Sequence, residues 1–136
     1  MLLPPCAGII VIDGDKTVLV CTSNGNYSFP KGKRNKGETI IDAAHRELNE
    51  ETGLSKENIE IIDSFTIDET SNKGNVAIRY FVATLIKKQD KLTFDPSELE
   101  KSEWITMDNA YKLEKFKNRR KEILKQAYDK VLETRT

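Results

Sequence analysis

The chain has 136 residues, 22 basic and 22 acidic, so its formal charge at pH 7 is zero. With 32% charged and 38% hydrophobic residues, 7 glycines and 4 prolines, it is neither a disordered tail nor a collagen-like or low-complexity segment, and it is long enough to bury a core without a metal or disulfide staple. The longest apolar run, Ala7 to Ile12, is far short of the ~20 residues that cross a bilayer, and Met1 to Pro5 carries no basic region, so neither a membrane span nor an export signal is expected.

In chain order, residues 6–13 and 16–22 flank Gly14-Asp15 and predict a β-hairpin. Cys6 and Cys21 fall within these two stretches and are expected to be buried free thiols in a cytoplasmic protein. Ser23 to Asn26 forms a second turn before the short stub Tyr27-Ser28-Phe29, and Pro30 to Gly37 reads as loop. Thr39 is placed to cap a helix, with Asp42 in the capping-box position and Gly53 as its stop. Ile41, Ala44 and Leu48 recur at helical spacing and define the face turned to a core. Two strands, 59–69 and 75–86, surround the Ser71-Gly74 turn, and Glu103 to Thr106 is a third short strand. A helix follows from about Asp108, then a longer one from Lys117 to Leu132 that turns Ile123, Leu124, Ala127, Val131 and Leu132 to one side. No repeat or linker interrupts this order, so residues 1–136 are expected to form one mixed α/β domain.

Charge is unevenly distributed. Residues 1–37 hold five basic and two acidic residues, residues 38–70 two and ten, and residues 71–136 fifteen and ten. Five acids lie between Glu38 and Glu51, and Glu47, Glu50 and Glu51 stand at i, i+3 and i+4, so three carboxylates leave one helix face. Only Arg46 lies among them to offset their repulsion. An acidic helix face is commonly just solvated, but oxygen-only donors at this spacing also suit a hard cation, Mg²⁺ or Mn²⁺, better than zinc.

The stretch reads Gly32-x5-Glu38-x7-Arg46-Glu47-Leu48-x-Glu50-Glu51-x-Gly53-Leu54. It resembles the Nudix box, G-x5-E-x7-R-E-U-x-E-E-x-G-U with U a bulky aliphatic residue, at every position. The resemblance implies an α/β/α sandwich with a mixed central sheet and divalent-metal hydrolysis of a nucleoside diphosphate linked to another moiety. It makes Glu47, Glu50 and Glu51, with the Gly32 carbonyl, the candidate holders of Mg²⁺ or Mn²⁺, more than one ion with substrate bound. Glu38 is implied to assist them, and Arg46 to orient the carboxylates. Glu98, six residues before Trp104, is a candidate further acid from a loop, although an exposed acidic loop explains it equally. His45, at a position the box leaves free, is expected to be exposed or partly packed, and Trp104 to be core.

Outside the box, Lys31, Lys33, Arg34 and Lys36 put positive charge beside these acids and are candidate phosphate contacts. Tyr27 and Tyr80 are candidate base-stacking rings, with a core role the competing reading of Tyr80. Cys6 to Ile10, Pro30-Lys31-Gly32, Ile78-x-Tyr80-Phe81-x-Ala83 and the tail from Trp104 through Phe116-Lys117 resemble the asymmetric diadenosine-tetraphosphate hydrolases. Phe116 joins the substrate-binding candidates on that ground. That resemblance implies a nucleotide or dinucleoside polyphosphate substrate, handled by a monomer or homodimer. Phe-Pro-Lys-Gly-Lys also resembles the cap- or RNA 5′-end-hydrolysing and diphosphoinositol-polyphosphate branches, and a non-cleaving nucleotide-binding module is the rival of a different class. The basic run Lys112, Lys115, Lys117, Arg119, Arg120, Lys121 and Lys125 reads either as an RNA-tracking surface or as the wet side of the last helix.

Overall fold

The computed structural model describes residues 3–89 and 91–135. Strands β1 (Cys6–Asp13) and β2 (Lys16–Cys21) form the expected hairpin, with Gly14 at φ +61° in its turn. They are followed by β3 (Tyr27–Ser28), β4 (Lys31–Lys33), helix α1 (Ile40–Thr52), β5 (Ile59–Thr70), β6 (Val76–Leu85), β7 (Lys101–Thr106), and helices α2 (Met107–Lys112) and α3 (Asn118–Thr134). The main sheet runs β3-β2-β1-β6-β5, with β4 paired to β1 and β7 to β2. It is mixed, because β1 and β6 are parallel while the other pairs are antiparallel.

Strand β1 is buried on both faces, which is why its sequence is continuously apolar rather than alternating. Ala7, Ile9 and Val11 pack with Ala43, Ala44 and Leu48 of α1, whereas Ile10 and Ile12 pack on the other face with Ile123, Leu124, Ala127 and Val131 of α3. The result is the expected α/β/α sandwich. Ala43 replaces Ile41 in the buried stripe of α1, and Ile41 lies half-buried against β5. Leu132 is 41% exposed instead of joining the α3 face, because it stands one residue past Val131 and is turned off the stripe. Cys21 is buried, Cys6 is half-buried, and both are free thiols. Trp104 is half-buried and packs on the α1 side of the sheet. Among the described residues no helix is long and apolar enough to cross a membrane.

The stretch read as loop from Pro30 to Gly37 contains a strand. Cys6, Ala7 and Gly8 pair with Lys33, Gly32 and Lys31, and Ile9 N–H donates to the Pro30 carbonyl at 3.3 Å. Lys-Gly-Lys has no β-propensity of its own, so the pairing is tertiary. Gly8 permits it, since a Cβ there would stand 2.6 Å from both the Pro30 oxygen and Lys31 Cβ.

Candidate active site

Helix α1 begins where Thr39 Oγ1 accepts from Asp42 N–H at 3.2 Å, and ends at Gly53, whose φ of +82° lets its N–H reach the Asn49 carbonyl. Its buried side fixes rotation about its axis, so Glu47 and Glu51 emerge toward β4, while Glu50 is exposed and paired with Arg46. Glu51 Oε1 accepts from Lys31 N–H at 3.1 Å. Gly32 lies directly against the Glu47 carboxylate, and a Cβ at Gly32 would fill the space that carboxylate occupies.

Arg46 ties the acids together. Its Nε and Nη2 donate to the two oxygens of Glu38 at 2.8 and 3.0 Å, Nη2 also donates to the Lys33 carbonyl at 2.8 Å, and Nη1 donates to Glu47 at 2.9 Å and Glu50 at 3.1 Å. The orienting role expected of Arg46 is consistent with this network. Glu38 further accepts from Asn35 N–H at 2.9 Å, and these bonds, Arg46's first, hold its carboxyl down at about 2. Glu47 moves the other way. Burial pushes its pKa up, Arg46 opposes that, and the charges of Glu50 and Glu98 add to the rise. Glu51 is pushed up to about 8 by burial first, with Glu47 and Glu50 adding and the Lys31 N–H opposing.

Three carboxylates thus crowd around one guanidinium with Glu51 beside them, and two of the four, Glu47 and Glu51, are held with their charge disfavoured. Among the described residues no three acidic, imidazole or thiol groups already converge as a metal cage. Arg46 stands between Glu47 and Glu50 instead, as repulsion between unshielded carboxylates favours. The donor set fits a hard divalent cation: it is all oxygen, a single guanidinium only partly offsets its charge, and glycine at position 32 leaves room for the Glu47 carboxylate between strand and helix.

Glu98 lies exposed in the turn that starts at Asp95, close enough for its charge to act on Glu47. Lys31 is half-buried, Lys33 is exposed, and Tyr27 is half-buried and lines a cleft together with Lys31. Arg34 is drawn inward, donating from Nη1 to the Glu38 carbonyl at 3.1 Å, while Lys36 is exposed. Two of the substrate-binding candidates are core residues, which for Tyr80 is the competing reading. Tyr80 is 0% exposed, its ring edge-to-face with Phe29 at 5.1 Å, and Phe116 is 1% exposed, packed on Phe29 from another side at 5.6 Å. Neither presents a face to a base. His45 is half-buried, and its Nδ1 has no hydrogen-bond partner among the described residues.

The residue reading missed a buried polar cluster. Tyr80 Oη donates to Glu69 Oε1 at 3.0 Å, and Arg120 donates from Nε and Nη2 to the two Glu69 oxygens at 3.0 and 3.2 Å. Burial works against the Glu69 charge, but Arg120 and Tyr80 outweigh it and hold the pKa below the ordinary value. The signal was present: Arg120 sits at i−3 and i−4 to Ile123 and Leu124, on the apolar face of α3, and Glu69 follows Ile67 on the same side of β5.

Two curated RNA pyrophosphohydrolases, from Sodalis glossinidius and Serratia proteamaculans, are each 42% identical over 62 residues, 44% of this chain but 35% of theirs. The matched segment therefore spans about a third of those proteins. Among solved structures, a C. elegans Ap4A hydrolase in a binary complex superposes with a TM-score of 0.80 at 21% identity, covering 93% of this chain and 98% of that one. A NUDIX-family hydrolase from Clostridium perfringens gives 0.73 at 15% identity, covering 96% and 99%. At such identities the likeness is one of fold. The NUDIX domain model, however, matches residues 2–127 and takes in the whole glutamate helix with the strands that frame it, so the chain belongs to the Nudix family.

Proposed function

We propose that this chain is a divalent-metal-dependent pyrophosphohydrolase that cleaves a phosphoanhydride bond in a nucleoside-diphosphate-linked substrate. The reading rests foremost on one observation: Gly32 lies against Glu47 while Glu51 is bonded to the neighbouring backbone N–H of Lys31, with Glu50 on the same helix face. In this role Glu47, Glu50, Glu51 and the Gly32 carbonyl hold Mg²⁺ or Mn²⁺, and Glu38 with Arg46 keeps the carboxylates in place. At that position these residues would hold a divalent ion, which when bound would supply charge neutralisation at phosphate oxygens and a more acidic water. Glu98, or a glutamate of the box, takes the proton of the attacking water. Lys31, Lys33 and Tyr27 contact the substrate.

The substrate we favour is a dinucleoside tetraphosphate cleaved asymmetrically, so that diadenosine tetraphosphate and water give ATP and AMP. The resemblance of the strands and tail to the asymmetric hydrolases supports it, as does the likeness in fold to the C. elegans Ap4A hydrolase. The RNA pyrophosphohydrolase relatives favour a second substrate, the 5′ end of an RNA. Incubation with Mg²⁺ and each substrate, with products separated by ion-exchange chromatography, tests the proposal. ATP and AMP in equal amounts, absent with Glu51→Gln, support the first substrate. Pyrophosphate from 5′-triphosphorylated RNA supports the second. Tight nucleotide binding with no turnover of these two or of a broad panel that adds capped RNA, diphosphoinositol phosphates and oxidised dNTPs would leave a binding module and overturn the hydrolase reading.

A further inference from the structure

Beside the glutamate helix lies a cleft of about 530 Å³, walled by the Thr22–Asn26 turn on one side and by the segment around Lys115 on the other. Tyr27 N–H donates to the Lys115 carbonyl at 2.9 Å and Lys115 Nζ to the Asn24 carbonyl at 3.2 Å, which strap the two walls together. Lys31, Lys115, Lys117 and Arg120 line the cleft, and none of its lining residues is acidic.

Arg120 is the fixed member of the four. It is 9% exposed, and Glu69, itself held by the Tyr80 hydroxyl, takes two of its five N–H donors and locks the guanidinium plane. A guanidinium immobilised in this way is pre-organised to receive an oxyanion with its remaining donors.

Helix α3 opens at the same place with the wrong charges for its dipole. Its first turn has no acidic residue, its N-cap Lys117 makes no side-chain capping bond, and Arg119, Arg120 and Lys121 follow. Cations there oppose the positive end of the helix dipole, and an external anion would relieve them. Arg119 is directed elsewhere, donating to the Thr70 carbonyl at 2.8 Å.

Lys31 makes the cleft continuous with the candidate metal helix, since its N–H is bonded to Glu51 while the residue lines the cleft. With Tyr80 and Phe116 in the core, Tyr27 is the only aromatic residue among those lining it, so no pair of rings sandwiches a base. Recognition here is of charge.

We propose that this cleft seats the phosphates of the substrate remote from the scissile bond, with Arg120 as the specificity-determining contact and Lys117 and Lys31 beside it. The enzyme thereby selects substrates with three or more consecutive phosphates over those with two. This rests on the hydrolase reading for its kinetic consequence, but not for the binding itself.

Calorimetric titration of the full chain with inorganic tripolyphosphate, in buffer freed of metal by chelating resin, separates the two. Wild type is expected to bind, Glu51→Gln to bind within about two-fold of wild type, and Lys117→Glu to bind at least ten-fold more weakly. A paired Arg120→Met, Glu69→Gln variant, which leaves no buried charge and keeps an acceptor for Tyr80, should show the same ten-fold loss with a cooperative melt. No binding by wild type, or equal binding by Lys117→Glu, would overturn the proposal. In the kinetic arm, Lys117→Glu should raise KM for diadenosine tetraphosphate and leave competitive inhibition by ADP, a two-phosphate probe, unchanged; an equal weakening of both overturns it. Tripolyphosphate binding without any hydrolysis would remove the hydrolase reading alone, and hydrolysis without tripolyphosphate binding would remove the cleft alone.

Discussion

Replacing Gly32 with alanine should separate the site from the fold. The new Cβ would overlap the carboxylate of Glu47. Gly32 has no left-handed φ, so its backbone accepts alanine, and the obstructing group is the end of a flexible side chain that can swing away. Stability should therefore change by less than about 1 kcal/mol, while Glu47 leaves its place beside β4. Displacing a ligand without deleting it is expected to weaken Mn²⁺ binding about 10–100-fold, or about 1.4–2.7 kcal/mol, and kcat/KM should fall at least as far. Gly8→Ala is the contrast. Its Cβ would stand 2.6 Å from the Pro30 oxygen and from Lys31 Cβ, both held by the pairing of β1 with β4, so the strand itself must move. There a stability loss of about 1–3 kcal/mol is expected. Calorimetric Mn²⁺ titration and thermal melts of both variants decide it. Gly32→Ala with wild-type Mn²⁺ affinity would refute the placement of Glu47 at the site, and an unfolded Gly32→Ala would refute the separation of site from fold.

The raised Glu51 pKa makes metal and pH interdependent. Free of metal, the folded chain keeps the Glu51 proton up to about pH 8, whereas the unfolded chain releases it near the ordinary 4.5, so the Glu51 contribution to stability falls as pH rises between those values. Thermal melts from pH 5 to 9 should show that decline, flattened in Glu51→Gln, with Mn²⁺ raising Tm most at the alkaline end; a wild-type profile indistinguishable from Glu51→Gln would contradict it. Tyr80→Phe keeps the ring packing but removes a buried hydrogen bond to a carboxylate, which is worth about 1.5–3 kcal/mol. Denaturant unfolding at pH 7 should show that loss, and a change under about 0.5 kcal/mol would deny the hydroxyl its role.

Much of this was readable from residues. The β1–β2 hairpin, the caps of α1 at Thr39 and Gly53 and the long β6 all carry local signals strong enough to survive folding. The glutamates were legible because helical periodicity alone puts positions 47, 50 and 51 on one face. Strand β4 was not, because Lys-Gly-Lys has no strand character and pairs only through the close approach that Gly8 allows. Tyr80 stays open between stacking and core roles in the sequence, because an alternating strand does not say which face is covered, and α3 covers the face bearing Tyr80; Phe116 lies between α2 and α3, outside any periodic pattern, and packing on Phe29 buries it. The Glu69–Arg120 pair joins residues 51 apart in sequence, and its only local trace is a charge on an otherwise apolar stripe.

Electron paramagnetic resonance of Mn²⁺ titrated into the full chain, beside a variant with glutamine at positions 47, 50 and 51, tests the central claim most directly. The free-ion signal should be depleted by wild type and left intact by the variant, with depletion deepening when nucleotide is added. Equal depletion by both proteins, or none by wild type even with nucleotide present, would contradict it.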